Sequence, residues 1–134
     1  MAISFQKSIG VYESALKVRS ARAEILAGNL ANADTPGYQA RDINFADALN
    51  SQMNPKTRSE DLALTQTGHQ DGLPGGLGGL NTQFRTPTQP SVDGNTVEEQ
   101  VEHAEFMQNN LEFQTSFTLL NSRFRGLMSA IKGE

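Results

Sequence analysis

The chain has 134 residues, room for one small domain; 37% are apolar, with 12 glycines and no tryptophan. The net charge is −4 and there is no cysteine. These values exclude disulfides, thiolate metal sites and cysteine nucleophiles, and an acidic chain without a lysine/arginine cluster is a poor footprint for nucleic acid. The apolar residues gather at the two ends, around a polar, glycine-rich middle. Residues 1–33 carry Lys7, Lys17, Arg19 and Arg22 against Glu13 and Glu24, whereas residues 97–134 are acidic. This asymmetry favours helix-to-helix pairing, within the chain or between copies. No basic region followed by an apolar run opens the chain, and no stretch is long enough to span a membrane, so the residues alone read as cytosolic.

The first helix is predicted over residues 4–33, with Ser4 as N-cap. Phe5, Ile9, Tyr12, Leu16, Ala23, Leu26 and Leu30 recur in steps of four and three, with Arg19 filling the gap. That is a heptad seam. An ordinary amphipathic helix of a two-helix hairpin fits the same pattern.

At Thr35-Pro36-Gly37 the helix breaks. Pro36 fixes its own φ and disfavours a helical Thr35, and Gly37 accepts positive φ, so the pair suits the centre of a type II turn. Asn29, Asn32 and Asp34 are poor interior residues that serve the free polar groups of a helix end. Residues 38–45 are expected to be extended and 46–53 to form a short helix, stopped by Asn54-Pro55. Residues 62–67 alternate as a short strand would. Residues 68–81 read as a flexible loop, not a phosphate loop, because no Gly-Lys-Ser/Thr closes them. Two readings stay open for Leu73, Leu77 and Leu80: docking on a neighbour, or a mobile tip. Residues 83–86 are a further candidate strand, ended by Pro87 and Pro90.

Asp93-Gly94 is a turn signal. With Thr96 as N-cap, Glu99 falls at N3 and completes a capping box for the second helix, expected to run to about Lys132. Its seam is Phe106, Asn110, Phe113, Phe117, Leu120, Phe124, Leu127 and Ile131. Asn110 interrupts that seam, as polar residues that set register do. The fold class expected is mainly α: two long terminal helices in an antiparallel coiled coil, joined by an irregular segment with short strands and a Gly-rich loop. The domain plan is one unit: helix 1–33, connecting segment 34–95 and helix 96–134.

Glu98, Glu99, Glu102 and Glu105 read as a solvated helix start that complements the helix dipole, in preference to a cation site. His69 and His103 have no partner at ligand spacing. No nucleophile, base and acid set can be assembled, so neither an enzyme nor a cofactor is expected, and no metal, nucleic acid or small-molecule substrate.

Residues 29–38, Asn-Leu-Ala-Asn-Ala-Asp-Thr-Pro-Gly-Tyr, resemble the signature of the bacterial flagellar axial proteins, the rod, hook and hook-associated family. The continuation Gln-Ala-Arg-Asp-Ile-Asn-Phe, residues 39–45, narrows the resemblance to rod proteins. Residues 87–97, Pro-Thr-Gln-Pro-Ser-Val-Asp-Gly-Asn-Thr-Val, resemble the same region of the proximal rod member. The resemblance covers most of the chain apart from residues 55–82. It implies a structural subunit of the proximal rod of the basal body, exported without a cleaved signal to the periplasmic rod. There its terminal helices would polymerise, enclose a channel and carry torque. The implied partners are other copies, other rod proteins, and basal adaptor, membrane-ring and export-gate proteins. Asn29, Asn32, Thr35, Pro36, Gly37, Tyr38 and Arg41 carry the matching motif and are assigned to the bend and an inter-subunit contact. The rival readings are a sister rod protein and a cytosolic coiled-coil adaptor or export chaperone.

Overall fold

A computed structural model describes residues 5–53, 80–89 and 91–133, with the backbone alone for 5–8. The expected strand over 62–67, Leu73, Leu77 and the rest of the glycine-rich stretch up to residue 79, Pro55, His69, Pro90 and the Phe5 side chain lie outside the described residues. The element order is α1 (Phe5–Ala31), β1 (Arg41–Ile43), α2 (Phe45–Met53), β2 (Thr82–Phe84) and α3 (Glu99–Lys132). The two terminal helices have 27 and 34 residues, or roughly 40 and 50 Å at 1.5 Å per residue.

Contacts between α1 and α3 run in antiparallel order. Asn29 meets Glu102, Arg22 meets Glu105, Arg19 meets Asn109 and Glu112, and Tyr12 meets Arg123. Strand β1 pairs antiparallel with β2, with Arg41 opposite Phe84, Asp42 opposite Gln83 and Ile43 opposite Thr82. The ladder is extended by the Arg85 amide, which donates to the Ala40 carbonyl at 2.8 Å.

The apolar core is small and sits where α1 meets α2 and the sheet. Val18, Ile43, Ala48 and Leu80 are buried together, with Ala21, Ile25 and Phe45 packed against them. Leu80 is therefore an anchor in its own chain; of the two readings left open for it, neither applies. Helix α2 starts where the Asn44 carboxamide accepts the Ala46 amide at 3.0 Å, an N-cap contact.

Helix α3 starts later than the sequence predicts. Its N-cap is Glu98, which makes no side-chain cap bond. The expected Thr96–Glu99 capping box is absent because Thr96 is used elsewhere: its hydroxyl accepts the Ala40 amide at 2.7 Å, and its own amide donates to the Tyr38 carbonyl at 3.0 Å. Tertiary pairing satisfies the same groups that a local cap would. At the far end Gly133 has φ +76° and donates its amide to the Ser129 carbonyl, so it closes the helix in the left-handed conformation that glycine adopts without strain.

Candidate assembly site

The motif at the end of α1 is held by its own asparagines. Asn29 is fully buried. Its Nδ2 donates to the Arg41 carbonyl at 2.7 Å, and its Oδ1 accepts the Arg41 amide at 3.1 Å. One carboxamide thus pairs with both backbone groups of a single residue, as a neighbouring strand would, and clamps the returning chain onto the helix. The Tyr38 hydroxyl donates to the same Oδ1 at 3.4 Å. Asn32 Nδ2 donates to the Gly28 carbonyl at 2.8 Å and its Oδ1 accepts the Thr35 hydroxyl at 3.3 Å.

Between these anchors lies the predicted turn. The Tyr38 amide donates to the Thr35 carbonyl at 3.2 Å, and Gly37 has φ +73°, which fits a type II turn with Pro36 and Gly37 at its centre. Thr35, Pro36 and Gly37 are exposed at the tip. Arg41 is exposed too, with its guanidinium over the Phe84 ring at 5.2 Å.

The second block, residues 87–97, completes the motif. Asn95 is buried, and its Nδ2 donates to the carbonyls of Asn32, Ala33 and Thr35 at 3.0, 2.6 and 3.0 Å. These acceptors lie just past the end of α1, where the helix no longer supplies donors. The Gly37 amide donates to the Asp93 carbonyl at 3.0 Å. Gly94, at φ +75°, lies with its Cβ position 3.8 Å from Gly37 Cα, so two turns meet backbone to backbone. The two blocks that are far apart in sequence are one structural unit.

Behind this unit lies an ionic cluster. Arg22 grips Asp42 with two parallel bonds, Nε to Oδ1 at 2.8 Å and Nη2 to Oδ2 at 2.9 Å, and reaches Glu105 at 2.8 Å. Arg85 bridges Asp42 and Glu102, each at 2.6 Å. Glu102 is fully buried and also accepts from Asn29 at 3.1 Å. Burial pushes the Asp42 carboxyl up, but hydrogen bonds from Arg22, Arg85 and the Ile43 amide outweigh it and hold the group below the ordinary carboxylate range. Hydrogen bonding to Asp42 raises Arg22 above its ordinary value against its own desolvation. Farther along, Arg19 pairs with Glu112 and lies over the Phe45 ring at 4.1 Å. Hydrogen bonding from Gln108, with the Arg19 charge, keeps Glu112 low despite partial burial.

The acidic start of α3 is therefore a solvated face only at Glu99, which is exposed. Glu102 and Glu105 bind arginines of the same chain, and Glu98 accepts the Thr88 amide and hydroxyl at 2.6 Å. Within α3 the asparagine that is buried is Asn109, donating to the Arg19 carbonyl at 2.9 Å; Asn110, predicted in the seam, is exposed one position away. The cue was present, because Glu98, Glu102, Glu105, Asn109 and Glu112 recur in steps of four and three. A search for apolar periodicity passes over a stripe made of charge.

The predicted apolar seams fall into two groups. On α1, Leu26 is buried, and Ile9, Tyr12, Leu16 and Leu30 are half-buried. On α3, Phe106, Phe113, Leu120 and Leu127 are half-buried, whereas Phe117, Phe124 and Ile131 are 57%, 44% and 76% exposed.

The family pattern described as flagella basal body rod protein matches residues 9–39, all of α1 but its first turn and the turn that follows it. Over its full length the chain is 49% identical to the flagellar basal body rod protein FlgB of Aeromonas hydrophila, covering 99% of that protein. It is 42% identical to the Salmonella typhimurium FlgB, with 90% of each chain covered. Identity to the Escherichia coli FlgB is 41%, over 90% of this chain and 89% of that one. The turn and its two flanking blocks thus sit in a chain whose whole length matches one kind of structural subunit, and the chain belongs to the FlgB family of flagellar basal body rod proteins.

Proposed function

We propose that this structural subunit of the basal body rod is built into the proximal rod by its two terminal helices, paired as an antiparallel coiled coil within one domain. The observation that carries the reading is the stripe Phe117, Phe124 and Ile131, left largely exposed on one long helix. Contiguous apolar surface of that kind marks an interface in a soluble chain. Covering it with neighbouring helices returns about 25 cal/mol for each Å² removed from water.

In this reading Phe106, Phe113, Leu120 and Leu127 bridge the cis and trans contacts, and Phe5, Ile9, Tyr12, Leu16, Leu26 and Leu30 supply the matching surface of α1. Asn110 lies on the outward face beside them. Identical subunits meeting head to tail generate an open helical assembly, here one that encloses the export channel and passes torque through helix packing. Asn29, Asn32, Tyr38 and Arg41 fix the bend, and the exposed tip at Thr35, Pro36 and Gly37 contacts a neighbouring subunit. Further partners are other rod proteins and the basal adaptor, membrane-ring and export-gate proteins. The site of assembly is the periplasmic rod, reached by export without a cleaved signal.

The test replaces Phe117 and Leu120 by Asp together and scores motility, with basal bodies viewed by electron microscopy. The expected result is normal expression, no rods and no motility. Motile cells with complete basal bodies overturn the reading.

A further inference from the structure

Helix α3 carries two heptad stripes side by side. One is charged and polar, running through Glu102, Glu105, Asn109, Glu112 and Ser116; the other, one residue further on, is mainly apolar, running through Phe106, Asn110, Phe113, Phe117, Leu120 and Phe124. Hydrophobicity alone would turn the phenylalanines toward α1. The structure turns the polar stripe fully inward at Glu102 and Asn109, leaves Phe113 and Leu120 half-buried at the edge of the contact and exposes Phe117 and Phe124.

We propose that the charged stripe is a face-selecting device: it fixes which side of α3 pairs with α1 in the same chain, and so keeps the phenylalanine stripe free for a second copy. The outward use of that stripe rests on the assembly proposed above; the inward selection does not. Buried ion pairs add little net stability, because desolvation offsets their attraction, but breaking one strands a charge. They therefore penalise every register and rotation except the one that pairs them. A single buried asparagine in a helix seam fixes register in the same way.

Here the penalties are laid along the helix. Rotating α3 to bury Phe117 would withdraw Glu102 from Arg85 and Asn29, Glu105 from Arg22, and Glu112 from Arg19. It would also remove the Asn109 bond to the Arg19 carbonyl. The arginines cannot follow, because Arg22 and Arg85 are tied to Asp42 on β1 and Arg19 is held against Phe45. The sheet thus holds the cations against which α3 is read.

The chain has no cysteine, so one introduced thiol reports which way α3 faces in the unassembled protein. The probe is N-ethylmaleimide. In an otherwise unchanged chain the thiol of Phe117→Cys should react freely and that of Ser116→Cys, on the charged stripe, slowly. Replacing Glu105, Asn109 and Glu112 by Leu together makes both stripes apolar. With neither face preferred, the Ser116→Cys thiol should then react about tenfold faster, within the range measured for coupled contacts, and the Phe117→Cys thiol about twofold slower. Unchanged rates at both positions in a chain that keeps its helical circular dichroism overturn the proposal.

If the leucine chain loses its helical signal, a charge exchange decides. Arg19→Glu alone should speed the Ser116→Cys reaction about tenfold, and adding Glu112→Arg should restore most of the protection. A double exchange no better protected than Arg19→Glu alone overturns the proposal. These rates are read on single chains, so they stand apart from the rod assembly that the Phe117 and Leu120 aspartates test.

Discussion

The two halves of α3 are held by opposite means. From Glu99 to about Ser116 the helix is tied into its own chain by charge: Glu102 to Arg85, Glu105 to Arg22, Glu112 to Arg19. Beyond Phe117 the apolar side chains dominate, and Phe117, Phe124, Met128 and Ile131 are exposed. There Arg123 donates to the Tyr12 hydroxyl at 3.3 Å. In the first half the fully buried side chains are polar, Glu102 and Asn109; in the second half Leu120 and Leu127 are only half-buried and the larger apolar side chains are exposed, the reverse of a self-sufficient globule. The lesson is that this chain separates two tasks along one helix. Charge sets the shape of the subunit, and in the assembly proposed above the exposed apolar surface is left for its neighbours.

The polar half is most vulnerable at Glu102. Glu102→Ala leaves Arg85 Nη1 and Asn29 Nδ2 without the buried carboxylate. Removing one partner of a buried pair is expected to cost about 3 kcal/mol, seen as a lower urea midpoint of the isolated chain. Next comes Asn95→Ala, which takes one donor group away from the carbonyls of Asn32, Ala33 and Thr35. These bonds, with the one that Asn95 Oδ1 accepts from the Val97 amide, set that loss at about 2 kcal/mol, and hydrogen exchange should show the end of α1 fraying first.

Acid should act on the polar half through Asp42. Its folded-state carboxyl titrates below the ordinary range, so its contribution is complete above the unfolded-state value of about 4. That contribution is lost as the pH falls through the lower folded-state value. The urea midpoint should therefore drop below about pH 4, with a shallower drop in Asp42→Asn.

The smallest effect on the single chain is expected at Phe124. Phe124→Ala, in the outward half, should shift single-chain stability by no more than about 0.5 kcal/mol, while reducing rod assembly in cells. A large loss of single-chain stability there would place the apolar half in the fold of the monomer after all.

Much of the local structure was legible. Pro36 and Gly37 marked the turn, and Gly37 takes the positive φ that the turn requires. Both long helices and the short one after Asn44 follow their sequence signals, and strand β2 lies one residue from its expected start. What was not legible depended on partners far along the chain. Thr96 has the sequence of a cap, but the Ala40 amide claims its hydroxyl. Leu80 looks like part of a glycine-rich loop, but the gap between Val18, Ile43 and Ala48 takes it. Glu102 and Glu105 look solvated like Glu99, because a helix dipole explains all of them without the arginines of two other segments that bind Glu102 and Glu105.

By itself, the sequence determined the helical segments, the turn between them and the two heptad stripes on α3, because capping, glycine freedom and side-chain periodicity act within a few residues. The tertiary structure alone decided which stripe faces inward. A helix with two stripes at heptad spacing has no local reason to prefer either; the preference comes from Arg22 and Arg85, fixed by Asp42 on the sheet and waiting for carboxylates.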